Sequence, residues 1–214
     1  MMPSNRRPVP WPQVHAERAA LADDLAGLSE EDWRTPSLCT GLTVREVLAH
    51  LTAGASLNGL RWFAGVVRCR FDFDAQVAMR LAEQMGDSGA DTLARFRAVV
   101  ASTTSPPLPR IAMLGEAVVH AEDVRRPLGI AADRPVDTLT RVAEYYRGSD
   151  QVVVAGSRVK GLRLEAADGP FAAGEGPLVR GGTLALIMAM TGRPAHLADL
   201  DGDGVEVLRG RMDG

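Results

Sequence analysis

The chain has 214 residues, 46% of them apolar and 24% charged, the balance of a folded globular chain rather than a disordered one. Its formal net charge of −3 argues against nucleic acid or an anionic membrane as partner. No apolar run approaches the roughly 18–20 residues that span a bilayer.

The start, MMPSNRRPVPW, has two arginines but no apolar stretch behind them, so no secretory signal is read and the cytoplasm is the expected location. Residues 1–10 carry three prolines and are expected to form a loosely packed lead-in. A first helix is predicted from about Pro12 to Gly27, with Val14, Leu21, Leu25 and Leu28 near one stripe and Arg18 at its edge. Ser29 is placed to cap a short turn in which Asp32 is the third residue. Pro36 and Gly41 mark a loop. Thr43 and Glu46 then form a capping box, T-x-x-E, and should open one long helix running through Gly54, Gly59 and Gly65 to about Val67. Further helices are expected over 74–86, 90–103 and 109–126. Prolines 106, 107 and 109 separate the last two, and Pro127 with Gly129 ends the third. The stretch from Asp133 predicts one more helix, ending in the β-branched run 152–154.

The character changes near Gly156. KGLRLEAAD alternates as a strand with Leu162 and Leu164 on one face, and GEGPLVRG suggests a second short strand. GTLALIMAMTGR reads as a buried helix, which Gly181, Gly182 and Thr183 can cap; GVEVLRG reads as a final strand. The plan is therefore α+β but mainly α. A helical unit over 1–155 is followed by a small α+β unit over 156–214, too small to bury a large core alone and expected to pack on the helices. Arg61, Arg68 and Arg70 are ordinary helix-surface arginines rather than a recognition face.

Chemistry centres on GEAVVHAED. Glu116 and His120 stand four residues apart, and four residues advance a helix by about 6 Å while returning to nearly the same face. His50, in VREVLAHL, lies on a different helix and can close a triangle across a bundle. An imidazole and a carboxylate that converge in this way suit a divalent ion. The same spacing also fits a surface Glu–His pair or a hydrogen-bonded core histidine, so spacing leaves both readings open. Asp123 is placed to orient a ligand or to pair with Arg126. His15 is expected to be exposed, and His196 to reach toward the site from the tail. Two cysteines, Cys39 and Cys69, are too few for a disulfide framework and too far apart for a thiolate zinc site. Cys39 precedes a helix start but has no base near it in sequence, which favours a structural role. No phosphate loop, dinucleotide signature or G-x-S-x-G elbow is present.

Two longer motifs carry a resemblance. LSEEDWRTPSLCTGLTVREVLAHLTAG contains Trp33, Pro36, Ser37, Cys39, Gly41, Thr43 and Val44 ahead of His50, and GEAVVHAEDVRRPLG contains Glu116, His120, Asp123, Arg126 and Gly129. Together with LALIMAMTGR and DLDGDGVEVLRG they resemble the mycothiol-dependent maleylpyruvate isomerase family, within the DinB-like metalloproteins. That resemblance implies an up-and-down four-helix bundle followed by a small α+β domain. It implies a divalent metal, zinc by family habit, on His50, Glu116 and His120, with one position open for the thiol of mycothiol. Zinc would favour the thiolate at neutral pH. An isomerase adds the thiolate to a double bond, lets it rotate and eliminates it; a transferase keeps the new carbon–sulfur bond. Arg193, in TGR, matches the arginine proposed to hold the substrate carboxylate, a task its rigid donor fork suits. The segment between the two ligand motifs is short for an isomerase. The reading adopted is a thiol-dependent enzyme acting on an electrophilic small molecule, with maleylpyruvate isomerisation and a non-catalytic metal- or ligand-binding protein as alternatives, and with monomer and homodimer both open.

Overall fold

The computed structural model describes residues 10–212, so the lead-in expected over residues 1–10 lies, apart from Pro10, outside it. Four helices pack pairwise as a bundle: α1 (Trp11–Asp24), α2 (Val44–Ser56), α5 (Gly89–Val99) and α6 (Arg110–Arg125). Two more, α3 (Gly59–Arg68) and α4 (Phe73–Gln84), form a flap whose second member lies on α2. Beyond α6, α7 (Val136–Tyr146) packs against both α6 and α8 (Thr183–Met190).

Local chemistry sets these boundaries. At α2 both halves of the capping box form: Thr43 Oγ1 accepts from Glu46 N at 3.3 Å, and Glu46 Oε2 accepts from Thr43 N at 2.8 Å. Ser29 and Asp32 bond reciprocally and start the single turn Asp32–Arg34, which buries Trp33. The one long helix expected from Thr43 to Val67 is two. Leu57 leaves helical geometry, and the Asn58 side chain caps a new start by accepting from Arg61 N at 2.9 Å. The break is made by the Asn cap and not by any glycine, because Asn satisfies a donor that a helix start leaves free. The helix from Asp133 also falls short of 152–154. It stops at Tyr146, and the next segment folds around Asp150, which accepts from Ala155 N and Ser157 N at 2.9 and 3.0 Å.

The tail forms a small four-stranded sheet in the order β2-β1-β3-β4, with β1 Arg163–Ala166, β2 Ala172–Ala173, β3 Leu178–Gly181 and β4 Leu200–Asp201. The β1–β3 pair is parallel, and the two outer pairs are antiparallel. GVEVLRG, read as a strand, is helix α9 (Gly204–Gly210). Val205 and Leu208 are buried while Glu206 and Arg209 are exposed, a spacing of three that a seven-residue window cannot separate from alternation. At the start of α8 one free backbone donor is taken by Asp168, which accepts from Thr183 N at 2.8 Å. One buried apolar cluster joins bundle to tail, from Val14, Leu114 and Val118 to Leu164, Val179, Ile187 and Leu208. A second, around Leu21, Leu25, Trp33, Leu48, Phe96 and Val124, fills the other end of the bundle. No helix among the described residues is long and apolar enough to cross a membrane.

Candidate metal centre

Helix α6 runs through the middle of this packing and is buried along most of its length, so every polar side chain on it needs a partner. Its glycine, Gly115, lets α7 approach closely: a Cβ there would meet the Tyr146 hydroxyl at 2.6 Å. Glu116 follows, and one turn later His120. Across the bundle α2 contributes His50 from its partly exposed middle.

The three side chains converge. Glu116 Oε2 lies 3.3 Å from His120 Nε2 and 3.5 Å from His50 Nε2. The two imidazoles meet edge to face with centroids 4.9 Å apart. One donor atom from each residue falls within 4.8 Å of the others. The remaining ring nitrogen of His120, Nδ1, is 2.9 Å from Asp123 Oδ2. Asp123 is fully buried and held in turn by Arg193, whose Nε and Nη2 donate to its two oxygens at 3.0 and 2.7 Å. The Arg193 Nη1 donates to Thr191 O at 2.7 Å.

The electrostatics follow from this geometry. Burial opposes charge on both Glu116 and His120, but their mutual attraction outweighs it. With His50 also contributing, the Glu116 carboxyl is held well below the usual carboxylate range. His120 is raised well above its ordinary value by Glu116 and by the hydrogen bonds it donates to Asp123 and Cys39, despite its burial. For Asp123 the burial penalty is again exceeded, here by His120 and Arg193, and its pKa is lowered. Without an ion the site is thus an imidazolium–carboxylate cluster.

Two nitrogens and a carboxylate at this separation suit a divalent ion of zinc type, and the carboxylate on the second histidine nitrogen is the usual support of a ligating imidazole. Nickel and other first-row ions accept the same donors. Two ligand candidates, His50 and Glu116, also line a cavity of about 410 Å³ walled by Leu51, Leu57, Trp62 and Met113. The donor cluster therefore has one open, largely apolar side, which a catalytic site needs and a closed structural site lacks.

Other candidates are placed differently. Cys39, half-buried and without a base near it in sequence, has one in space: its sulfur groups with donor atoms of His120 and Asp123 within 4.8 Å. The loop carrying it is pinned by Leu38 N donating to Asp123 O at 3.0 Å, a long-range contact with no sequence signature. His196 does not reach the triad; it is buried beside Asp199 (3.2 Å) and Arg126 (3.3 Å). His15 is partly covered, stacked on Trp11 with Nε2 3.2 Å from Ser102 O. Cys69 only closes α3.

The fold and the site together define a helical-bundle protein with a His–His–Glu donor cluster at the end of a pocket. Residues 14–106, which include His50 but neither Glu116 nor His120, match the family model described as the mycothiol maleylpyruvate isomerase N-terminal domain. That match spans the first of the two motifs that carry the resemblance and covers less than half of the chain. Two crystal structures of mycothiol-dependent maleylpyruvate isomerase share the fold. A mutant form superposes with a TM-score of 0.64 at 14% identity, the other with 0.59 at 16%, each over 95% of this chain and 96% of that one. No curated protein sequence matches the chain significantly.

Proposed function

We propose that the chain is a divalent-metal-dependent enzyme that activates mycothiol or a similar low-molecular-weight thiol for transfer to an electrophilic small molecule. The observation that carries this reading is the convergence of His50, Glu116 and His120 on one point with a pocket beside it. A divalent ion, for which zinc is our assignment, supplies Lewis acidity there and so favours the anionic form of a thiol near neutral pH.

The chain's own residues do the rest. His50, Glu116 and His120 hold the ion. Asp123 keeps the His120 Nδ1 proton and so points Nε2 toward Glu116, and Arg193 keeps Asp123 charged and fixed. Leu51, Leu57, Trp62 and Met113 exclude water from the reacting groups. Mycothiol as the thiol rests on the family whose description fits residues 14–106 and on what the two structural relatives are described as. The same descriptions favour maleylpyruvate isomerisation as a second, narrower reading. Arg193 then bears on activity through Asp123, since its fork is already engaged.

Metal content tests the proposal, on protein purified without a nickel column. About one zinc per chain is expected in the wild type, lost in His120→Ala. Mycothiol consumption against a panel of electrophiles, maleylpyruvate included, then follows. Stoichiometric metal without turnover would favour a non-catalytic binding protein; no metal after zinc is added back would overturn the proposal.

A further inference from the structure

Arg18 is the exception among the buried arginines. It projects from α1 and is only 2% exposed, yet it lines the same cavity as His50 and Glu116. Its Nη1 donates to two backbone carbonyls, Ser102 O at 3.0 Å and Val99 O at 3.5 Å. Its Nε is buried with no partner, and no carboxylate among the described residues pairs with it. The other buried arginines, Arg125 and Arg134, meet carboxylates, on Glu17 and Asp24 and on Glu17 and Glu122, and the partly buried Arg193 meets Asp123. Arg193 uses its Nε–Nη2 edge for this, and on that edge of Arg18 no acceptor is found among the described residues. Burial without a counter-ion depresses the Arg18 pKa to about 10, still charged at neutral pH. A buried cation left unpaired costs free energy that an incoming anion returns.

We infer that Arg18 is the anion-binding residue of this pocket, and that the ligand it selects is a monocarboxylate with an apolar body. The guanidinium edge matches a carboxylate in two parallel hydrogen bonds. The single charge follows from the rest of the lining. Arg80, the other cation at the cavity, is engaged by Glu83 at 2.9 Å and by Arg61 O at 2.7 Å. The remaining walls are mostly apolar, among them Leu51, Leu57, Trp62 and Phe73. Away from the metal position, a second carboxylate on the same ligand would be buried without a partner. This inference names the substrate class of the proposed enzyme and rests on that reading for the chemistry, but not for the binding.

The test compares three probes of one shape on the zinc-supplemented protein by isothermal titration: trans-cinnamate, trans-cinnamamide and the dianion of 4-carboxycinnamic acid. Cinnamate is expected to bind about tenfold to a hundredfold more tightly than the amide, the range of a charge-assisted pair. It is also expected to bind more tightly than the dianion. Arg18→Met should abolish the preference over the amide at unchanged zinc content, and Arg18→Lys should keep part of it. Equal affinity of acid and amide in the wild type overturns the inference, as does failure of both to bind or a tighter dianion. A preference that survives in Arg18→Met assigns the carboxylate to the metal and overturns it too. Should Arg18→Met not fold, the wild-type comparison and Arg18→Lys still decide. Absence of zinc would sink the proposed chemistry while leaving this preference measurable, so the two failures are separable.

Discussion

Helix α6 carries two buried charged clusters, and they differ in one respect. On one face Arg125 bridges Glu17 and Asp24, while Arg134 joins Glu17 to Glu122. There each carboxylate has a permanent cation, and the network ties α6 to α1 and to the loop before α7. On the other face Glu116 has only histidines, and the cluster borders a cavity. Imidazole can give up its proton, so this second cluster can exchange a proton for a metal ion, whereas guanidinium cannot. Buried charge alone does not mark a site; a titratable partner and an open side do.

Substitutions can break this contrast, beginning with the strongest. Glu116→Gln removes the anionic donor while keeping its shape, and zinc measured by plasma emission should no longer be stoichiometric, with helicity unchanged. Arg125→Met should leave zinc binding intact in the folded protein but cost about 1–3 kcal/mol in urea unfolding, because Asp24 loses its cation while Glu17 keeps Arg134. A reversal of these two outcomes would mean that the clusters had been assigned the wrong way round. Asp123→Asn lies between them and should weaken zinc about 10–100-fold by loosening His120.

The pH behaviour separates the clusters again. In metal-free protein Glu116 is lowered, so its contribution to stability is present above its ordinary 4.5 and lost as pH falls through the lower folded value. His120 is raised, so its contribution is present below 6.5 and lost as pH rises toward the higher folded value. The pair therefore stabilises the metal-free chain most between those two ordinary values. Zinc affinity moves oppositely above 6.5, rising with pH as the imidazolium gives up its proton, which titrations at several pH values would show. A flat zinc affinity across that window would contradict the imidazolium assignment. The smallest effect is Asn58→Ala, which removes the α3 cap and should cost about 1 kcal/mol in thermal unfolding without touching zinc.

Much of this was legible in the chain because it is local. The Thr43–Glu46 box, the i,i+4 spacing of Glu116 and His120, and the stop at Pro127 and Gly129, whose φ of +68° suits glycine, all act within one or two helical turns. The errors were local ambiguities. Asn58 was a cap hidden among glycines, and Val205 and Leu208 fit both periods in a short window.

The sequence by itself determined where helices start and that two ligand candidates share a face, since backbone capping and helical periodicity need only near neighbours. Tertiary structure alone decided that His50 joins them from another helix and that Cys39 lies beside His120. It also decided that the Arg193 fork closes on Asp123, 70 residues away, while the fork of Arg18 closes on no carboxylate among the described residues. Those contacts depend on which helices pack together, and the packing of apolar faces leaves no trace in the spacing of the charges it brings into contact.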